Sequence, residues 1–153
     1  MEIMKRGFTC GAFDLLHPGH LYLLKYAKQH CDYLIVGLHT NPQHERSTKH
    51  RPVQTMFERW SQLTAVKYVN EIIPYDTEED LYNMLTTINI QTRFLGSDYA
   101  GKPEFTGMNL CELLKINIVY VPRYHSFSSS NIRARLEKFI CGTSTPSSST
   151  VME

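Results

Sequence analysis

The sequence predicts an α/β fold, a five-stranded parallel sheet that is doubly wound, with helices on both faces. Three observations lead there. Short apolar runs alternate with longer amphipathic stretches five times along the chain, which is how successive βα units read in sequence. The runs at 33–38 and 116–121 are almost continuously apolar, as expected of strands buried on both faces. Turn-forming or polar segments follow the first, fourth and fifth runs. In such a sheet those segments meet at one edge, beyond the strand C-termini.

Each element has its own reason. Residues 4–9 form a first strand, ended by a glycine turn, and a helix runs over 18–30 with an apolar stripe through Leu21, Leu24 and Ala27. The apolar run at 33–38 is the second strand. Residues 41–52 are polar, basic and without period, which makes them a loop. A helix is predicted over 57–68 and a short strand over 69–74. Thr77 and Asp80 have capping-box spacing and open a helix that reaches about residue 88. Residues 92–95 are the fourth strand, 108–115 a helix, 116–121 the fifth strand and 128–140 the last helix. From residue 141 the composition turns to Ser, Thr, Gly and Pro, too poor in apolar surface to fold, so 141–153 is predicted to be a disordered tail behind a single domain at 1–140.

Composition narrows the function. The 153 residues are 42% hydrophobic, enough for one real core, and carry a formal net charge of +1. That charge supplies neither the basic field expected of a nucleic-acid binder nor an acidic tail. No apolar run approaches the roughly 20 residues needed to span a membrane, and the N-terminus has no signal-like apolar region. Cys10, Cys31, Cys111 and Cys141 stand far apart with no CxxC pair, which favours reduced thiols and a cytoplasmic protein.

The chemistry concentrates in Gly11-Ala12-Phe13-Asp14-Leu15-Leu16-His17-Pro18-Gly19-His20. The segment follows a strand and opens a helix, where free N–H groups and the helix dipole attract anions. His17 and His20, three apart, share one face of that helix. Pro18 suits the first turn, and Gly11 and Gly19 let a phosphate approach the backbone. Two plainer readings compete: histidines that only cap and pack, or a zinc pair. No third ligand stands at metal-site spacing, so no metal centre is expected from the protein alone. Cys10 reads as a small packing residue beside the motif. Ser128, Ser129 and Ser130 gather hydroxyls at a second helix N-terminus after Arg123, so phosphate contact competes with plain capping. Residues 96–102 match the start of a phosphate-binding P-loop, but Pro103 stands where its Ser/Thr belongs and Asp98 would oppose the phosphates.

The decamer resembles the HxGH motif of the nucleotidyltransferase superfamily, in the GxFDxxHxGH form of its cytidylyltransferases. The resemblance to glycerol-3-phosphate cytidylyltransferases runs to about Lys138. Phe57-Glu58-Arg59 resembles the family's arginine at the start of a helix. Val69-Asn70-Glu71-Ile72-Ile73-Pro74 is similar to its Val-Asp-Glu-Val-Ile-Pro strand. Gly96-Ser97-Asp98-Tyr99-Ala100-Gly101-Lys102 is similar to its Gly-Asp-Asp-aromatic loop, and Arg123 through Ile132 to its arginine-led Gly-Ile-Ser-Thr-Thr element. Ser97 stands for an aspartate, Ser126 for a glycine, Ser129 and Ser130 for threonines, and the loop at 41–52 differs in length.

The resemblance implies a Rossmann-like fold of the nucleotidyltransferase type and transfer of CMP from CTP to sn-glycerol 3-phosphate, with Mg²⁺, in a homodimer. It implies catalytic roles for His17, His20, Lys49 and Arg123. Nucleotide binding falls to Cys10, Gly11, Ala12, Phe13, Gly19, Ser128, Ser129 and Ser130. Arg59 would hold the acceptor phosphate or the nucleotide, Asp98 would contact the nucleotide ribose, the acceptor or a loop N–H, and Asp14 would orient the acceptor or hold the loop. Of Arg46, Lys49 and Arg51, one or two would close over the nucleotide. Three rivals stay open: an ethanolamine- or choline-phosphate cytidylyltransferase, an FAD synthetase, and a nucleotide sensor without turnover.

Overall fold

Strand β1 (Arg6–Gly11) lies at the centre of the sheet, largely buried between two neighbouring strands. The computed structural model describes residues 3–142. The elements that follow are α1 (Pro18–Gln29), β2 (Tyr33–His39), α2 (Met56–Thr64), β3 (Glu71–Tyr75), α3 (Glu78–Thr87), β4 (Thr92–Gly96), α4 (Met108–Leu113), β5 (Asn117–Val121) and α5 (Ser129–Gly142). All five strands are parallel, in the order β3-β2-β1-β4-β5. The order reverses at β1, so the switch point where such sheets bind ligands lies between β1 and β4.

Period-two alternation divides the core into two layers. Leu34, Val36 and Leu38 of β2 face Leu24 and Ala27 of α1 and Leu63 of α2. Ile35, between them in sequence, faces the other way, with Phe8 and Tyr75, against Leu81 and Leu85 of α3 and Leu110 and Cys111 of α4. Helices on both faces confirm the doubly wound reading.

The helix ends follow local chemistry. Thr77 and Asp80 exchange side chain-to-backbone bonds of 3.0 Å each, the expected capping box with aspartate in the usual glutamate's place. Thr55 and Glu58 form a second box at the start of α2, which is why α2 begins earlier than predicted. Gly107 precedes α4 at φ 76°, and an added Cβ would stand 2.4 Å from Leu85 Cδ1, so this position requires glycine. The loop after β2 contains one 3₁₀ turn, Pro42–His44, and the segment after β4 another, Ser97–Tyr99. Cys141 and Gly142, assigned to the tail from composition, belong to α5; the rest of the predicted tail lies outside the described residues. No helix among the described residues is long and apolar enough to cross a membrane.

Candidate active site

The C-terminal rim of the sheet encloses a cavity of about 590 Å³. Its walls come from the ends of all five strands and from the segments after β1, β2, β4 and β5. At its centre, where β1 gives way to α1, the two histidines of the decamer meet.

His17 is the N-cap of α1, and its Nδ1 accepts the Gly19 N–H at 3.1 Å. His20, at the third helical position, accepts the His17 N–H on its own Nδ1 at 3.4 Å. The reciprocal capping box normally made by a hydroxyl and a carboxylate is made here by two imidazoles. An Nδ1 that accepts a backbone N–H carries no hydrogen, so each neutral ring presents its proton on Nε2. The rings stack with centroids 3.8 Å apart at 27°. Burial first, then His125 and Arg123, lower the His17 pKa from its ordinary value. Burial and His17, against the opposing Asp14 carboxylate and with Arg123, bring His20 down to about 3. The arrangement is two neutral hydrogen-bond donors side by side at a helix N-terminus, suited to oxygens gaining negative charge.

This neutrality has a measurable consequence. The folded protein keeps His20 uncharged down to about pH 3, whereas an unperturbed histidine protonates near 6.5. Between those values the unfolded chain binds the extra proton, so stability falls as the pH drops through the window. Melting temperatures taken from about pH 7.5 to about pH 4 are expected to decline below the upper limit, and His20→Gln to remove part of that slope. An unchanged slope in the variant would mean that His20 charges within the fold.

The turn between β1 and α1 is held under backbone strain. Phe13 and Leu15 adopt φ of 47° and 52°, the left-handed region that costs non-glycine residues about 1–3 kcal/mol each. Asp14, between them, is 5% exposed. Its carboxylate accepts the Val53 and Gln54 N–H groups at 2.9 Å each and pairs with Arg133. Its carbonyl accepts the Ser129 hydroxyl at 2.7 Å, and Gln54 Oε1 accepts the Leu15 N–H at 2.7 Å. The strained turn is therefore pinned to the starts of α2 and α5.

The structure brings most of the candidate residues together. Cys10, Gly11, Ala12, Phe13, His17, Gly19, His20, Lys49, Asp98, Arg123, Ser128 and Ser129 all line the cavity. Asp14 does not; its carboxylate is taken up by the Val53 and Gln54 N–H groups and Arg133. Arg59 and Ser130 are also absent from the wall. Arg59, expected to hold a phosphate, is 2% exposed and turns inward. Its Nε–H donates to the Gln54 carbonyl at 3.2 Å, Nη1 to Ala12 and His39 at 2.9 and 2.7 Å, and Nη2 to Thr40 at 2.7 Å. Ser128 caps α5 by accepting the Asn131 N–H at 3.1 Å, and Ser130 is exposed.

Two glycine expectations divide. A Cβ on Gly11 would meet only the Phe13 ring, at 3.5 Å, so the backbone there is open to close approach. A Cβ on Gly19 would stand 2.6 Å from His125 Cε1 and 2.9 Å from His17 Nδ1; the glycine makes room for the two rings. Ser126, where the family pattern has glycine, is not among the residues with positive φ.

Sequence reasoning missed three cavity residues. His125 lies beside Gly19 and has a buried Nδ1 with no partner. His39, at the end of β2, is 2% exposed with neither ring nitrogen hydrogen-bonded. Arg93, in β4, is likewise 2% exposed. For Arg93 a signal existed: a cation inside an apolar strand run needs an explanation.

A parallel sheet with its switch point at β1, and paired imidazoles opening the helix behind it, defines an enzyme of the nucleotidyltransferase type. The chain belongs to the cytidylyltransferase-like family, whose sequence model matches residues 8–135. It is 35% identical to the glycerol-3-phosphate cytidylyltransferase of Bacillus subtilis strain 168 over 87% of this chain and 98% of that protein. It is 34% identical to the bifunctional protein HldE of Hyphomonas neptunium over 88% of this chain, but spans only 27% of that protein's length. The crystal structure of a lipopolysaccharide core biosynthesis protein from Thermoplasma volcanium shares the fold, with TM-score 0.61 at 23% identity over 82% of this chain and 99% of that one.

Proposed function

We propose that the protein transfers a cytidylyl group from CTP to sn-glycerol 3-phosphate, giving CDP-glycerol and pyrophosphate. The observation that carries nucleotidyl transfer is the stacked pair of neutral histidines with both Nδ1 atoms engaged by the backbone. The choice of acceptor is supported by the alignment with nearly the full length of a glycerol-3-phosphate cytidylyltransferase.

An acceptor phosphate oxygen attacks the α-phosphorus of CTP, and the bond to the β-phosphate oxygen breaks as pyrophosphate leaves. The nucleophile is already anionic, so positioning and charge stabilisation dominate over base catalysis. His17 and His20 donate from Nε2 to the phosphate oxygens. Arg123 and Lys49 bind the outer phosphates, aided by the Ser128 and Ser129 region at the start of α5. Magnesium takes hard oxygen ligands; the nucleotide phosphates would supply them, and Asp98 on the cavity wall would add a carboxylate, a donor set that fits the ion. The chemistry supplied at that position would be positive charge that offsets the charge of the pyrophosphate. Family resemblance extends the proposal to a homodimer in the cytoplasm.

Pyrophosphate release with Mg²⁺ and either CTP or ATP, against glycerol 3-phosphate, ethanolamine phosphate, choline phosphate and FMN, tests the reading. Turnover is expected with CTP and glycerol 3-phosphate alone. Turnover with ATP and FMN would overturn both substrates, and CTP binding without pyrophosphate release with any of the four would make the protein a nucleotide sensor.

A further inference from the structure

Among the described residues, Arg93 is a buried cation without a counter-charge. Nη1 donates to the Thr106 carbonyl at 2.7 Å, and the Phe105 ring lies 5.3 Å from Cζ. The remaining neighbours within bonding range are two weak sulfur acceptors, Cys111 at 3.9 Å from Nη1 and Cys10 at 4.0 Å from Nη2. Nε has no partner. The ion pairs among the described residues are His39–Glu78, Arg46–Glu78 and Arg133–Asp14, so none of their carboxylates answers Arg93. A guanidinium cannot shed its charge, and an unpaired one in a buried site is strongly unfavourable.

What stands unclaimed is one edge of the fork. Nε and Nη2 are adjacent, parallel donors, and neither bonds to oxygen; this is the edge with which arginine takes a phosphate or carboxylate in bidentate fashion. Arg93 lines the catalytic cavity, as do Arg46 and His39, whose ring nitrogens make no hydrogen bond. Its sulfur neighbour Cys10 is the residue immediately before Gly11, at the start of the histidine turn. Glu78 is occupied by Arg46 and the Thr106 hydroxyl.

We propose that Arg93 binds the acceptor's phosphate, its Nε–Nη2 edge holding two oxygens that do not attack. The inference rests on the nucleotidyl-transfer reading above. In that step the third phosphate oxygen forms the new bond to the α-phosphorus, the bond from α-phosphorus to the bridging oxygen breaks, and pyrophosphate departs with the electron pair. No proton moves, because the acceptor enters as a dianion. The assignment separates the cavity into a triphosphate side at His17, His20 and Arg123 and an acceptor side at Arg93.

Arg93→Lys keeps the charge but loses the fork, and Arg93→Met removes both. Steady-state kinetics are expected to show the acceptor KM raised about tenfold or more in each, with the CTP KM within about twofold of the parent. Equal rises in both constants, or an unchanged acceptor KM, would overturn the assignment while leaving the reaction intact. In the unmodified protein, inorganic phosphate is expected to shift the NMR resonance of the Arg93 Nε–H; no shift at saturating phosphate would also overturn it. That measurement needs neither a folded variant nor turnover. A phosphate-dependent shift in a protein inactive with every acceptor would retain the anion site and reject the cytidylyltransferase reading.

Discussion

His17→Asn is expected to lower kcat for nucleotidyl transfer by about 10²–10³ with little change in melting temperature. Asparagine is among the best N-cap residues and can accept the Gly19 N–H in place of Nδ1. It does not place a donor where Nε2–H stands. The substitution thus separates the two jobs of one side chain. His17→Ala loses both, and its melting temperature is expected to fall by the equivalent of about 1 kcal/mol, the usual worth of a helix cap. Single-turnover rates beside thermal unfolding make the comparison. An unchanged rate in His17→Asn would reduce the histidine to a cap and remove it from the chemistry.

Arg59→Met is expected to be the most damaging single change outside the cavity, at about 3 kcal/mol or more of stability. Four backbone carbonyls, from Ala12, His39, Thr40 and Gln54, converge on this guanidinium. Each buried acceptor left without a donor costs about 1–3 kcal/mol, less where water enters. Those carbonyls also belong to the turn after β1, the end of β2 and the residues before α2, so the turn that carries the histidines loosens with them. Arg59→Lys should recover only part of the loss, because one ammonium cannot match the planar spread of five N–H groups. Chemical denaturation measures the effect. A stable Arg59→Met protein with a raised KM for CTP would instead return the residue to the phosphate-binding role its sequence context suggests.

The contrast between these two residues shows what sequence patterns carry. His17 and His20 act through neighbours within three positions, and spacing that short is legible in the chain itself. The capping box at Thr77 and Asp80 is legible for the same reason. The box at Thr55 and Glu58 is equally local, and its spacing alone is enough to start α2 at Met56 rather than Phe57. Arg59 finds three of its carbonyl partners 19, 20 and 47 positions away. A basic residue near a helix start reads identically whether it faces a ligand or the carbonyl ends of strands. Asp14 is ambiguous in sequence on the same ground, since its carboxylate partners at Val53, Gln54 and Arg133 lie at the start of α2 and in α5.

The order and direction of the elements follow from the chain alone, because apolar periodicity is a local property and parallel crossovers have one hand. From that order alone the segments after β1, β4 and β5 had to meet at one rim, which is the neighbourhood of the candidate site. Tertiary structure alone decided which side chains enter the cavity, where the imidazole protons reside, and that Arg93 is buried without an anion while Arg59 is saturated with carbonyls. Both are buried arginines. Their roles differ because a guanidinium takes its meaning from the acceptors that face it, and those acceptors are assembled only when distant segments pack.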